Sequence, residues 1–157
     1  MGQNTFCFTM LPRAGVEIPK GNNRRWHLNY ERTAIEDFGP ISEKIRVNKG
    51  LMPVAYGYLE NTENEIEKDN VDVLIFSTRT FDIGEKTKVI PFGYLHRADG
   101  DHKVLATDET LAYVQWEDIS EKERDLLLKF FGYNHPIEFI ENKKIAEEYV
   151  RRTTSTF

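Results

Sequence analysis

Two acidic turns in this sequence carry the residue types that hold hard cations. The stretch Glu67-Lys68-Asp69-Asn70-Val71-Asp72 sets three carboxylates through a turn and into the start of an apolar run, Val71 to Phe76. Asp99 and Asp101 sit in a second turn, with Lys103 two residues beyond. Hard divalent ions take oxygen ligands, and magnesium sites combine a few carboxylates with waters and phosphate oxygens. A strand beginning near Asp72 would pin that carboxylate rigidly, as a defined site requires. Both turns are expected to reach the same mouth of the fold. Neither is decisive alone, because Asp favours turns and water solvates carboxylates well. Glu60, Glu63 and Glu65 nearby read as ordinary surface acidity.

The apolar pattern outlines the elements that must position these turns. Val71 to Phe76 reads as a strand entered through Lys68-Asp69-Asn70. Lys86 to Leu95 begins in alternation, and Pro91 within it predicts a bulge or an edge position. Lys103 to Ala106 reads as a short strand, and Val16 to Pro19 as an early one closed by the turn at Lys20 to Asn23. The character changes near residue 118. Ser120 and Glu123 form a capping box ahead of Leu126, Leu127, Leu128, Phe130 and Phe131, and Gly132 stands at the C-cap. A second helix is predicted over Lys143 to Arg152, with Ile145, Ala146, Tyr149 and Val150 on one face. Residues 1–14 are expected to form an N-terminal extension and Thr153 to Phe157 to fray. Strands first and helices last is the pattern of an α+β domain, here a small closed OB-like β-barrel with two C-terminal helices packed outside.

A chain of 157 residues accommodates one domain. Its net charge of −5 argues against nucleic acid or an anionic membrane surface as partner. An acidic protein still binds an anionic substrate once bound cations reverse the local field. Arg24-Arg25-Trp26 is too short a cation–aromatic cluster to restore a nucleic-acid reading. Cys7 is the only cysteine, which excludes an intrachain disulfide and a cysteine metal cage. Within Phe6-Cys7-Phe8 it reads as a small buried apolar residue. Thr5 to Leu11 is too short to span a membrane and lacks a signal peptide's flanks, so the expected compartment is the cytoplasm.

Taken in order, the segments resemble the soluble, single-barrel inorganic pyrophosphatases. That family opens with E-[IV]-P-x-G and then K-Y-E; here stand Glu17-Ile18-Pro19-Lys20-Gly21 and Arg25-Trp26-His27. Its Y-P-x-x-Y-G-[YF]-[IL]-x-x-T is similar to Met52-Pro53-Val54-Ala55-Tyr56-Gly57-Tyr58-Leu59-Glu60-Asn61-Thr62. Its D-G-D-P-x-D-V-L-V resembles Glu67 to Ile75, and its G-x-L and D-x-K segments match Gly93-Tyr94-Leu95 and Asp101-His102-Lys103. F-F-x-x-Y-K is similar to Phe130 to His135, so the likeness runs from about Val16 to Arg152. The resemblance implies hydrolysis of pyrophosphate to two phosphates by a magnesium-bound hydroxide, with manganese a possible substitute, in a homo-oligomer. It assigns Glu67, Asp72 and Asp101 as metal ligands, with Asp99 a further one. Asp69 would help deprotonate water. Arg25 and Lys103 would hold phosphate oxygens and Tyr56 would donate to them. Glu17, either Lys44 or Arg46, and His135 would complete the substrate contacts.

The chain also departs from that pattern. Glu67 stands for aspartate and reaches one methylene farther. Lys68 replaces a glycine and Asn70 a proline; if that glycine has positive φ, lysine strains the turn. His27 replaces glutamate, Arg25 replaces lysine with a different donor geometry, and Met52 replaces a phosphate-contacting tyrosine, reading as core filling. Asn134-His135 replaces a tyrosine–lysine pair. His96 and His102 could join Asp99 and Asp101 at a metal, but their spacing does not put both rings on one side. These changes leave two other readings open: a hydrolase acting on another phosphoanhydride, and an inactive relative that binds phosphate compounds or a protein partner.

Overall fold

The computed structural model describes residues 11–41, 47–66 and 68–155. Among these residues nine strands and two α-helices follow one another as β1 (Arg13–Ile18), β2 (Arg24–Leu28), β3 (Ile35–Pro40), β4 (Ala55–Leu59), β5 (Asp72–Phe76), β6 (Lys86–Lys88), β7 (Ile90–Arg97), β8 (Lys103–Thr107), α1 (Glu121–Phe131), β9 (Ile137–Glu141) and α2 (Lys143–Thr153). Seven strands form one sheet in the order β6-β1-β4-β5-β8-β7-β9, and β2 pairs with β3 in a separate hairpin. The α+β class is as expected. The closed barrel is not: the large sheet ends at edge strands β6 and β9 and stays open among the described residues.

β5 is buried on both faces, which is why its sequence reads as a continuous apolar run rather than an alternation. Val73 and Ile75 enter one core with Tyr94, Val104, Ala146, Tyr149 and Val150. Leu74 and Phe76 enter a second with Leu105, Leu127, Phe130 and Phe131. The two helices therefore cover opposite faces of the sheet, α2 on the first and α1 on the second. Among the described residues no helix is long and apolar enough to cross a membrane.

Most expected elements stand near their predicted bounds. Pro91 marks a register irregularity between β7 and β8, as its missing N–H predicts. Ser120 caps α1 by accepting from the Glu123 N–H at 3.2 Å. Gly132 is the C-cap, but with φ −95° it is not left-handed; a Cβ there would meet the Leu128 carbonyl at 2.5 Å. β2, β3, β4 and β9 were not foreseen: the β2–β3 hairpin and the short edge strand Ile137–Glu141 are half-exposed, and Ala55–Leu59 lacks a polar–apolar alternation. β1 already begins at Arg13, and Thr154 bridges to Thr62 while the Ser155 N–H bonds to the Asn61 carbonyl, so Thr153 to Ser155 are tied down. Cys7, Lys44, Arg46 and Glu67 lie outside the described residues.

Candidate active site

β5 and β8 run parallel with Asp72 opposite Lys103, so both strands begin at the same end of the sheet. The two acidic turns enter those strands and converge there, as the sequence suggested. Asp72 and Lys103 share the face of Leu74 and Leu105, which is the side covered by α1. Tyr56 reaches this point from β4. Gly57 beside it permits the close approach of β1, since a Cβ would fall 2.0 Å from the Gly15 carbonyl oxygen.

Lys103 is the centre of the arrangement. Its side chain is 3% exposed, and its ammonium donates to Asp72 Oδ2 at 2.8 Å, Asp101 Oδ2 at 2.9 Å and the Tyr56 hydroxyl oxygen at 3.0 Å. Burial opposes its charge, yet Tyr56, Asp72 and Asp101 together hold its pKa well above the ordinary lysine value. Burial pushes Asp72 up to about 6, and the neighbouring Asp101 carboxylate adds to that against the pull of Lys103. Burial also opposes ionisation of Asp101, but Lys103, Asp72 and Arg97 keep it below the usual range. Burial raises Tyr56 as well, so its hydroxyl stays a proton donor at neutral pH. The ring of Phe131 stacks on Tyr56 at 6.0 Å and fixes its plane.

Arg97 is the residue that sequence reasoning missed. From the end of β7 it clamps Asp99 with two bonds of 2.7 Å and reaches Asp101 Oδ2 at 2.9 Å. Its signal was its position in Arg97-Ala98-Asp99-Gly100-Asp101, a cation bracketed into an acidic turn. Arg97 holds Asp99 well below the ordinary carboxylate range, and His135 Nε2 lies 3.8 Å from the same Asp99.

Glu17 occupies the bulge of β1, between Val16 opposite Gly57 and Ile18 opposite Tyr56. It is 1% exposed and accepts the Leu28 N–H at 2.7 Å, while its Oε1 has no partner among the described residues. Burial raises its pKa to about 7, with His27 opposing the shift. The His27 ring, whose Nδ1–H donates to the Leu28 carbonyl, stands 3.7 Å from Glu17 and 3.9 Å from Asp69. Asp69 is half-exposed and accepts the Asn70 N–H at 2.9 Å. Lys68 before it has φ +61°, the strained turn that replacement of glycine predicts.

A cavity of about 340 Å³ opens beside this cluster, lined by Arg25, His27, Tyr56, Arg97, Asp101 and Lys103 with Met52, Phe130 and Phe131. Among the described residues Arg25 pairs with no carboxylate. Met52 is buried in the α1-side core, in keeping with core filling. The His96 and His102 rings do lie together, centroids 4.3 Å apart, but they pack with Tyr94 and Phe139 rather than joining Asp99 and Asp101.

The family model for inorganic pyrophosphatase matches residues 14–156. The chain belongs to the inorganic pyrophosphatase family. Solved structures of similar fold include the inorganic pyrophosphatase of Ehrlichia chaffeensis, 20% identical with a TM-score of 0.78, covering 90% of this chain and 91% of that one. The Helicobacter pylori protein is 24% identical at TM-score 0.75, covering 90% and 89%, and that of Thermus thermophilus 20% at 0.74, covering 90% and 87%. Comparison by sequence with curated proteins finds no match. Among the described residues no three carboxylate, imidazole or thiol groups converge in metal-binding geometry. Asp72 and Asp101 nevertheless fit a hard cation as a pair: they lie within hydrogen-bond reach of each other, and Asp101 Oδ1 is buried without a partner among the described residues.

Proposed function

We propose that this chain hydrolyses inorganic pyrophosphate to two phosphates with magnesium, or manganese in its place, held by Asp72 and Asp101 together with Glu67. The observation that carries this reading is the meeting of Asp72, Asp101, Lys103 and Tyr56 at one end of a parallel strand pair, in a chain of this family. When bound, the divalent ion neutralises substrate charge and acidifies a water. The protein supplies the rest.

Lys103 is held charged and, by giving up one carboxylate contact, donates to a phosphate oxygen. Tyr56 stays neutral and donates a second hydrogen bond. Arg25 lines the cavity and grips the phosphate bidentately. Asp69 is partly open to solvent and accepts the proton of the attacking water. The bond from water oxygen to one phosphorus forms as the bridging oxygen–phosphorus bond breaks. Charge gathering on the departing phosphate is neutralised by Lys103 and Arg25. His135 and Lys44 or Arg46 complete the substrate contacts, and buried Glu17 orients His27 beside Asp69. The same family reading favours a homo-oligomer working in the cytoplasm.

The test is phosphate release from pyrophosphate by purified protein, with and without magnesium, beside Asp72→Asn. Magnesium-dependent release that collapses in the variant supports the reading. Absence of release from the folded wild type with either metal would sink it.

A further inference from the structure

Arg97 is already a cation inside the acidic site. Its guanidinium makes three short charge-assisted bonds, two to Asp99 and one to Asp101, and its side chain is only 19% exposed. The fourth contact, from Nη1 to the Phe131 carbonyl at 3.5 Å, is weak but ties the head group to α1. The Arg97 backbone is fixed too, since its N–H donates to His102 Nδ1 at 3.0 Å. The group is therefore anchored from main chain to tip. It cannot lose its charge, because guanidinium stays protonated at any working pH.

The balance of charge follows directly. Asp72, Asp99 and Asp101 face Lys103 and Arg97, three carboxylates against two cations within hydrogen-bond distance. Both oxygens of Asp99 are engaged by Arg97, and Asp99 Oδ1 also accepts the Asp101 N–H at 3.1 Å. A second divalent ion on the Asp99 side would have to displace a bidentate guanidinium and sit against its charge. The Asp72–Asp101 side differs, because Asp101 Oδ1 remains without a partner among the described residues.

We infer that Arg97 is a built-in counter-ion that takes the place of a divalent ion between Asp99 and Asp101, so that Asp99 is no metal ligand and the site takes divalent ions only on its Asp72–Asp101 side. The inference rests on the metal-site reading above. It makes Arg97 a positioning residue, one that sets how many divalent ions the site accepts.

Manganese binding to the purified full chain, followed by electron paramagnetic resonance of free Mn²⁺ and by calorimetry, tests it without substrate. Arg97→Gln should bind Mn²⁺ at least about tenfold more tightly or take up one further ion, since a unit charge a few ångströms away is removed. Arg97→Lys keeps the charge and should bind as the wild type does. Asp99→Asn should weaken Mn²⁺ binding by no more than about tenfold, through loss of one nearby charge, while the number of ions bound stays that of the wild type, and it carries the test if Arg97→Gln does not fold. Unchanged binding in folded Arg97→Gln, or lost binding in Asp99→Asn, overturns the inference. Failure of the function reading is seen separately: a wild type that releases no phosphate while Arg97→Gln gains manganese breaks that reading and leaves this one standing.

Discussion

The two ends of the β5–β8 pair each carry a carboxylate largely withdrawn from solvent beside a cation, and they are built to opposite rules. At the far end Asp108 follows β8 directly and is 1% exposed. Its Oδ1 accepts the Thr110 N–H at 2.9 Å and the Thr110 hydroxyl; its Oδ2 accepts the Ser77 hydroxyl and Arg79 Nε at 3.1 Å. Every lone pair directed at a neighbour is answered, and Arg79 goes on to bond Thr87. At the near end the carboxylates of Asp72 and Asp101 crowd one another around Lys103, and Asp101 Oδ1 and Glu17 Oε1 are left unanswered among the described residues. A saturated network stabilises a fold and binds nothing more. An unsaturated one of like charges is destabilised until a ligand completes it, which is the state expected of a site.

The sharpest way to break this contrast is to neutralise one carboxylate at each end. Asp72→Asn should reduce the rate of pyrophosphate hydrolysis at least about a hundredfold, while its urea midpoint shifts little, because the substitution also relieves repulsion with Asp101. Asp108→Asn should do the reverse, lowering stability by about 2–3 kcal/mol by unpairing a buried network while leaving kcat within about twofold, since no Asp108 atom lines the candidate site. Equal stability losses in the two variants would mean that both ends are structural.

Acid titration sharpens the same comparison. Burial opposes ionisation of Asp108, but the donors from Ser77, Thr110 and Arg79 prevail and its folded pKa is lowered. A lowered folded pKa gives stability that is complete above the unfolded carboxylate value, about 3.9, and is lost as pH falls through the folded one. The stability gap between wild type and Asp108→Asn should therefore be full at about pH 6 and shrink as pH falls below about 4. A gap that stays constant across that window would show that Asp108 contributes through packing rather than charge.

The smallest effect concerns backbone strain. Lys68 at the near end has φ +61°, whereas no residue other than glycine has positive φ between Ser77 and Thr110. Lys68→Gly should raise stability by about 1 kcal/mol, read from the urea midpoint. A loss instead would show that the lysine side chain stabilises the turn by more than its conformation costs.

Much of the fold was legible because local rules wrote it. The Ser120 N-cap, the helix over Lys143 to Thr153, the Pro91 irregularity and the apolar run of β5 each follow from one short segment. β9 and the β2–β3 hairpin escaped because half-exposed strands have no clean apolar alternation to read, and β4 because Ala55–Leu59 carries no polar residue to alternate. The closed barrel was an inference from pattern order, and closure depends on which strands find partners. In the site, Asp72, Asp101, Lys103 and Tyr56 were nameable from their motifs, and the structure brings those four together. Arg97 was not, since an arginine two residues before an aspartate is ordinary until the turn folds back on itself.

The sequence by itself determined the family likeness, the inventory of carboxylates and cations, and the elements that carry them. Those are properties of residue type and near-neighbour spacing. Only the tertiary structure decided which charges meet. The parallel register of β5 and β8 sets Asp72 opposite Lys103 across 31 residues of chain, and the bulge in β1 turns Glu17 inward. The fold of one turn then gives Asp99 to Arg97 and leaves Asp101 with an oxygen unbonded among the described residues. Electrostatic contacts fall off over a few ångströms once partly desolvated, so their pairing is a matter of three-dimensional distance that linear order does not contain.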